Sequence, residues 1–138
     1  MHTLTRHLES LDAEVKQRAV AWLWLGVVAL LAAGCLSLLL VAARTPVLQN
    51  LLPGTDFFHV ALVVHVDLSV LVWFIACAGL MWTLFGGASR GARHRVTVAL
   101  AVIGTVMVGI APFVGADHPL MNNYVPVLRD PVFFCGLF

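Results

Sequence analysis

The stretch FFHVALVVHVDLSVLVWF, residues 57–74, is almost wholly apolar, yet it carries His59, His65 and Asp67. A charged side chain near the centre of a membrane helix costs roughly 2.5–3.5 kcal/mol on insertion scales, so ionisable groups there have a partner or a task. Imidazole can bind a metal or haem iron, and a carboxyl can carry a proton or anchor a hydrogen bond. Spacing decides whether they act together. Six residues turn His59 about 120° from His65 around a helix, so the two do not form an i, i+4 pair that shares one metal. His65 and Asp67 are two apart and point to nearly opposite sides. The three groups therefore have separate roles.

His59 lies one turn from Asp56 on the same face, at the edge of the helix. It reads as an interfacial histidine in contact with water or with Asp56 rather than as a ligand. His65 is deeper, with Ala61, Leu62, Leu68, Ser69 and Val72 on its face. The small Ala61 and Ser69 leave room for a flat group. Two readings stay open: a neutral imidazole serving as an axial haem ligand, or a histidine hydrogen-bonded to a neighbouring helix. Asp67 faces away from that slot. A buried carboxylate is expected to be protonated or partnered, either in a proton path or bonded to a polar group on another helix.

The chain that positions these groups has 138 residues, 61% hydrophobic and 11% charged. Soluble domains are usually about 45–50% apolar and about 25% charged, so this composition marks an integral membrane protein. A net charge of +1 argues against a nucleic-acid partner. Cys35, Cys77 and Cys135 lie in apolar runs without a CxxC pair or zinc spacing, and read as hydrophobic filler. No Walker loop, GxSxG or HExxH occurs. Residues 1–18 are polar and charged, so no cleavable signal peptide is expected.

The fold class expected is all-α, a polytopic transmembrane helix bundle with three full spans and the start of a fourth. In residues 1–18, Leu4, Leu8, Leu11 and Val15 recur at helical spacing, which predicts a short amphipathic helix on the cytoplasmic membrane surface. The transmembrane region covers 19–138. Residues 19–43 carry no charge and are long enough to cross a hydrocarbon core of about 30 Å, with Trp22 and Trp24 where an aromatic belt would lie. A turn-rich loop precedes a second span over 57–86. A linker with Arg90, Arg93 and Arg95 precedes a third span over 96–116, expected to end or kink near Pro112. After the loop DHPLMNNYVPVLRD, a fourth apolar run occupies 131–138. Eight residues cannot cross a bilayer, so the sequence is expected to be the amino-terminal piece of a longer protein. Trp73, Phe74 and Trp82 read as packing and belt residues, and Gly79, Gly104 and Gly109 as sites of close helix approach.

Short-loop charge sets the orientation. Arg6, Lys16, Arg18, Arg90, Arg93 and Arg95 lie on one side, and Arg44 and Arg129 on the other. The positive-inside rule places the amino terminus in the cytoplasm of a bacterial inner membrane. His65, about eight residues into the second helix, then lies about 12 Å from its outer end.

VVHVDLSVLVWFIACAGLMW, placed in the second helix, resembles the catalytic subunit I of the haem-copper oxidase superfamily, most closely its cbb-type cytochrome c oxidases and the related nitric oxide reductases. NNYVPVLRDPVFFCGL is similar to the loop entering helix four of the same group. The resemblance covers roughly residues 55–138. It implies that His65 is an axial ligand of a low-spin haem b. It also implies a full-length oxidoreductase that takes electrons from cytochrome c or quinol and reduces O₂ with proton translocation, alongside other oxidase subunits. The second axial ligand, the high-spin haem ligand and the copper-site histidines fall late in that family and have no counterpart here, so residues 1–138 alone are expected to be inactive. His94, in the linker, and His118, in a loop, do not fill those roles. Many family members carry Asn where Asp67 stands, which leaves the role of Asp67 open. Three other readings are a nitric oxide reductase-like subunit, a small haem b membrane anchor or electron carrier, and a cofactor-free membrane scaffold.

Overall fold

A computed structural model describes residues 2–48, 56–85, 92–115, 118–121 and 126–138, excepting the side chains of residues 2–12 and 92–94. It is an all-α bundle. Helix α1 runs His2–Ala43. Helix α2 (Phe57–Val66), a π-helical turn (Asp67–Val72) and α3 (Trp73–Phe85) follow as one rod. Helix α4 spans Ala92–Ile110, and the short α5 spans Pro131–Leu137. Three helical stretches are long and apolar enough to cross a membrane, Ala13–Ala43, Phe57–Phe85 and Arg95–Phe113. The chain is a membrane protein.

The amino-terminal segment differs from a separate surface helix. No Gly or Pro occurs before Gly26, so nothing interrupts the helical backbone, and α1 passes unbroken through the 18/19 boundary. Its 42 residues exceed what the hydrocarbon core requires, and the polar end continues the span.

Trp22, Leu25, Ala29, Ala33, Leu36 and Leu40 are all buried. Their spacings of three and four draw one seam along α1, and that seam packs on the second rod. Trp22 therefore belongs to the core rather than to an aromatic belt, whereas Trp24, two residues on and nearly opposite, is exposed. Gly79 makes room for Trp22: a Cβ on Gly79 would lie 2.5 Å from the indole Cε2. Gly104 and Gly136 likewise let α4 and α5 meet backbone to backbone. Among the described residues, nothing lies within 4 Å of a Cβ placed on Gly109.

The ends of the spans are joined by specific contacts. The Arg44 guanidinium lies 4.3 Å from the centre of the Phe58 ring, closing the α1–α2 connection. Pro112 stops α4 as expected, and the chain makes a single 3₁₀ turn, Ala111–Phe113, whose Phe113 meets Phe57 at 5.9 Å. The polar loop contains a short antiparallel ladder, β1 (Pro119–Leu120) with β2 (Val127–Leu128). Asp130 then caps α5 by accepting a hydrogen bond from Phe133 N at 3.0 Å, with Pro131 at the first helical position.

Candidate functional site

The Phe57–Phe85 rod places its polar groups on opposite sides of itself. His65 turns toward α1, where its Nδ1 lies 2.8 Å from the Ala33 carbonyl oxygen. A carbonyl only accepts, so Nδ1 carries the proton and donates. In a neutral ring that tautomer leaves the Nε2 lone pair free. Nε2 has no hydrogen-bond partner among the described residues. The bond is possible because α1 is lined with small residues here. Ala29 and Ala33 are buried, so the second rod can approach the α1 backbone.

The ring itself is half-buried, with the fully buried Leu68 near it in sequence. Ala61 is also completely buried, so its small size serves helix packing and does not open a slot beside the ring. Ser69 does not supply a free hydroxyl to a ligand: it donates to the His65 carbonyl at 2.7 Å and lies 3.3 Å from that of Val66. This local bonding sits on the π-helical turn, a common accompaniment of functional sites in helices. One flank of the imidazole is left partly exposed.

Asp67 opens the π-helical turn and is 1% exposed. It faces a cavity of about 190 Å³ between the second rod, α1, α4 and α5, lined also by Leu25, Val72, Gly104, Thr105 and Val108. Neither carboxyl oxygen has a hydrogen-bond partner among the described residues. The Thr105 hydroxyl on the same cavity donates to its own helix, at the Ala101 carbonyl, 2.7 Å away. The polar partner on another helix that the sequence suggested is therefore not found among the described residues.

His59 and Asp56 form the exposed pair that their spacing predicted, Nδ1 to Oδ1, at the start of α2. Of the other histidines, His118 sits in the loop at positive φ and His94 in the first turn of α4. Among the described residues no cluster of three metal-ligating side chains occurs. Cys35 and Cys135 are exposed and Cys77 is partly so, which sets them on the apolar exterior rather than in the core.

A hydrogen bond to a neighbouring helix was one of the two readings open for His65, and the structure shows that bond; the sequence did not single out Ala33 as its acceptor. The run ALLAAGCLS, residues 29–37, was its signal: small residues in a span mark where another backbone can come close.

No family model matches the chain, and no solved structure matches it. The chain is 29% identical over 143 aligned positions to an uncharacterized protein of Rickettsia prowazekii, covering 86% of this chain and 28% of that protein. It is 34% identical over 117 positions to an uncharacterized protein of Aquifex aeolicus, covering 84% of this chain and 29% of that protein. The chain thus spans less than a third of the length of these relatives.

Proposed function

We propose that these residues form the low-spin haem-binding part of a haem-copper oxidase-type catalytic subunit, with His65 as one axial ligand. The observation that carries this reading is the tie from His65 Nδ1 to the Ala33 carbonyl. Metal-ligating histidines characteristically donate their second ring N–H to a carbonyl or carboxylate, which sets the ring's rotation and raises the basicity of the other nitrogen. His65 has that arrangement inside an apolar span, with Nε2 turned away from the tie.

The residues present fit one side of such a group. A bound haem would supply one-electron redox chemistry. Ala33 holds the ring against rotation, His65 Nδ1 keeps its proton, and His65 Nε2 offers the ligating lone pair. No second histidine lies deep in a span of residues 1–138, so a second iron ligand for such a haem would be supplied by a different segment or subunit. The high-spin haem and copper of such an enzyme would be held there as well. In this reading the membrane is a bacterial inner membrane with the amino terminus in the cytoplasm, following the arginine and lysine distribution. Electrons would come from cytochrome c or quinol and pass to O₂, or to nitric oxide in a reductase-like relative.

The test is the reduced-minus-oxidised optical spectrum of membranes carrying the protein encoded by the complete reading frame. A haem b α-band is expected, lost in His65→Ala and kept in His59→Ala. A spectrum without haem, or one that His65→Ala leaves unchanged, overturns the reading and favours a cofactor-free scaffold, in which the His65–Ala33 bond only joins two helices.

A further inference from the structure

A second built feature lies at the end of the bundle where the first and third spans begin, at Ala13 and Arg95. Here α1 and α4 diverge around a cavity of about 490 Å³. Its polar lining is Glu14, Gln17, Arg18 and Arg95, and its deeper wall includes Ala21 and Val98. The sequence of layers is that of a membrane boundary, with charge at the mouth and alkyl surface one turn further in.

The charges are arranged asymmetrically. Arg18, largely buried, is held by Glu14 at 2.8 Å. Arg95 adds a second guanidinium on the opposite wall and makes no ion pair among the described residues. Among the described lining residues, one carboxylate stands against two guanidiniums, a balance of plus one. Two forked guanidiniums lining one cavity suit a phosphate, which accepts bidentate hydrogen bonds. Basic pockets between membrane helices are suited to anionic headgroups, and the alkyl wall suits the acyl chains below.

We propose that this cavity is a binding site for one anionic phospholipid, its headgroup phosphate held between Arg95 and Arg18 and its acyl chains laid on Ala21 and Val98. The site is independent of His65, which lies deep in the second rod. Gln17 supplies a further hydrogen-bond donor, and Glu14 excludes a second anion. Zwitterionic lipids carry the phosphate but also an ammonium group, so they gain less from the positive balance.

The experiment uses the full chain, purified in detergent, delipidated and titrated with phosphatidylglycerol or phosphatidylcholine, with bound lipid counted by native mass spectrometry. One phosphatidylglycerol should be retained in preference to phosphatidylcholine. Arg95→Gln should weaken retention about fivefold, the effect of one surface arginine on anionic lipid. Arg95→Lys should keep most of it, and Arg129→Gln, at the other end, all of it. Circular dichroism checks that each variant is folded. Equal retention of the two lipids, or an Arg95→Gln variant that binds as the parent does, overturns the proposal. So does full competition by millimolar inorganic phosphate, which would make the cavity a site for a free anion.

Discussion

Replacing Gly79 by alanine tests how closely the first two spans approach. A Cβ at Gly79 would sit 2.5 Å from Trp22 Cε2 and 2.8 Å from Cε3. Carbon atoms rest at about 3.5–4.0 Å, so the overlap is about 1 Å. Trp22 is buried in the seam and cannot swing clear, so the helices must part or the ring must leave its rotamer. Overpacking of this kind costs about 1–3 kcal/mol. Gly109→Ala is the matched control, because its new methyl meets nothing within 4 Å. Both variants gain the same helix propensity, about 0.8–1.0 kcal/mol, so their difference isolates the clash. The assay is equilibrium unfolding in mixed detergent–SDS micelles, read by circular dichroism. Gly79→Ala should be less stable than Gly109→Ala by about 1–3 kcal/mol. Adding Trp22→Leu should relieve part of that loss, with a coupling of about 0.5–3 kcal/mol. Equal stability of the two alanine variants, or strict additivity with Trp22→Leu, would refute the packing described.

Three further outcomes follow from the same geometry. Asp67→Leu in the 138-residue chain should stabilise it by about 1–3 kcal/mol in that assay, because the carboxyl has no partner among the described residues and the adjoining cavity takes the larger side chain; a loss of stability would reveal a partner. Nitrogen-15 spectra of labelled protein should show His65 protonated at Nδ1 and bare at Nε2, and the opposite tautomer would contradict the Ala33 bond. Asp130→Ala should destabilise the chain by about 1 kcal/mol through loss of the α5 cap, while Asp130→Asn should retain most of it; equal losses in both would show that the cap contributes nothing.

The spans were legible in the sequence because charge-free length is an unambiguous signal: the three apolar runs expected correspond to the helical stretches Ala13–Ala43, Phe57–Phe85 and Arg95–Phe113. The stop at Pro112 and the start at Pro131 were legible for the same reason, since proline acts locally on its own backbone. The opposition of His65 and Asp67 followed from helical spacing alone. What was hidden depended on other segments. Trp22 and Trp24 look alike as span-end aromatics, and only the phase of the α1 seam sends one inward. Gly79 and Gly109 look equally available for close packing, and only the facing side chain separates them. The π-helical turn at Asp67–Val72 has no marker in composition, and it alters which residues of Trp73–Phe85 meet α1. Ala61 and Ser69 suggested an open slot by their size, yet one is packed and the other bonds its own helix.

Haem ligation by His65 is the central proposal. Near-infrared magnetic circular dichroism of the oxidised protein from the complete reading frame reads the axial pair directly. A bis-imidazole signature is expected in the parent, and His65→Met should convert it to the imidazole–thioether form while leaving haem bound. A spectrum unaltered by His65→Met, or a protein that carries no haem, would contradict the assignment.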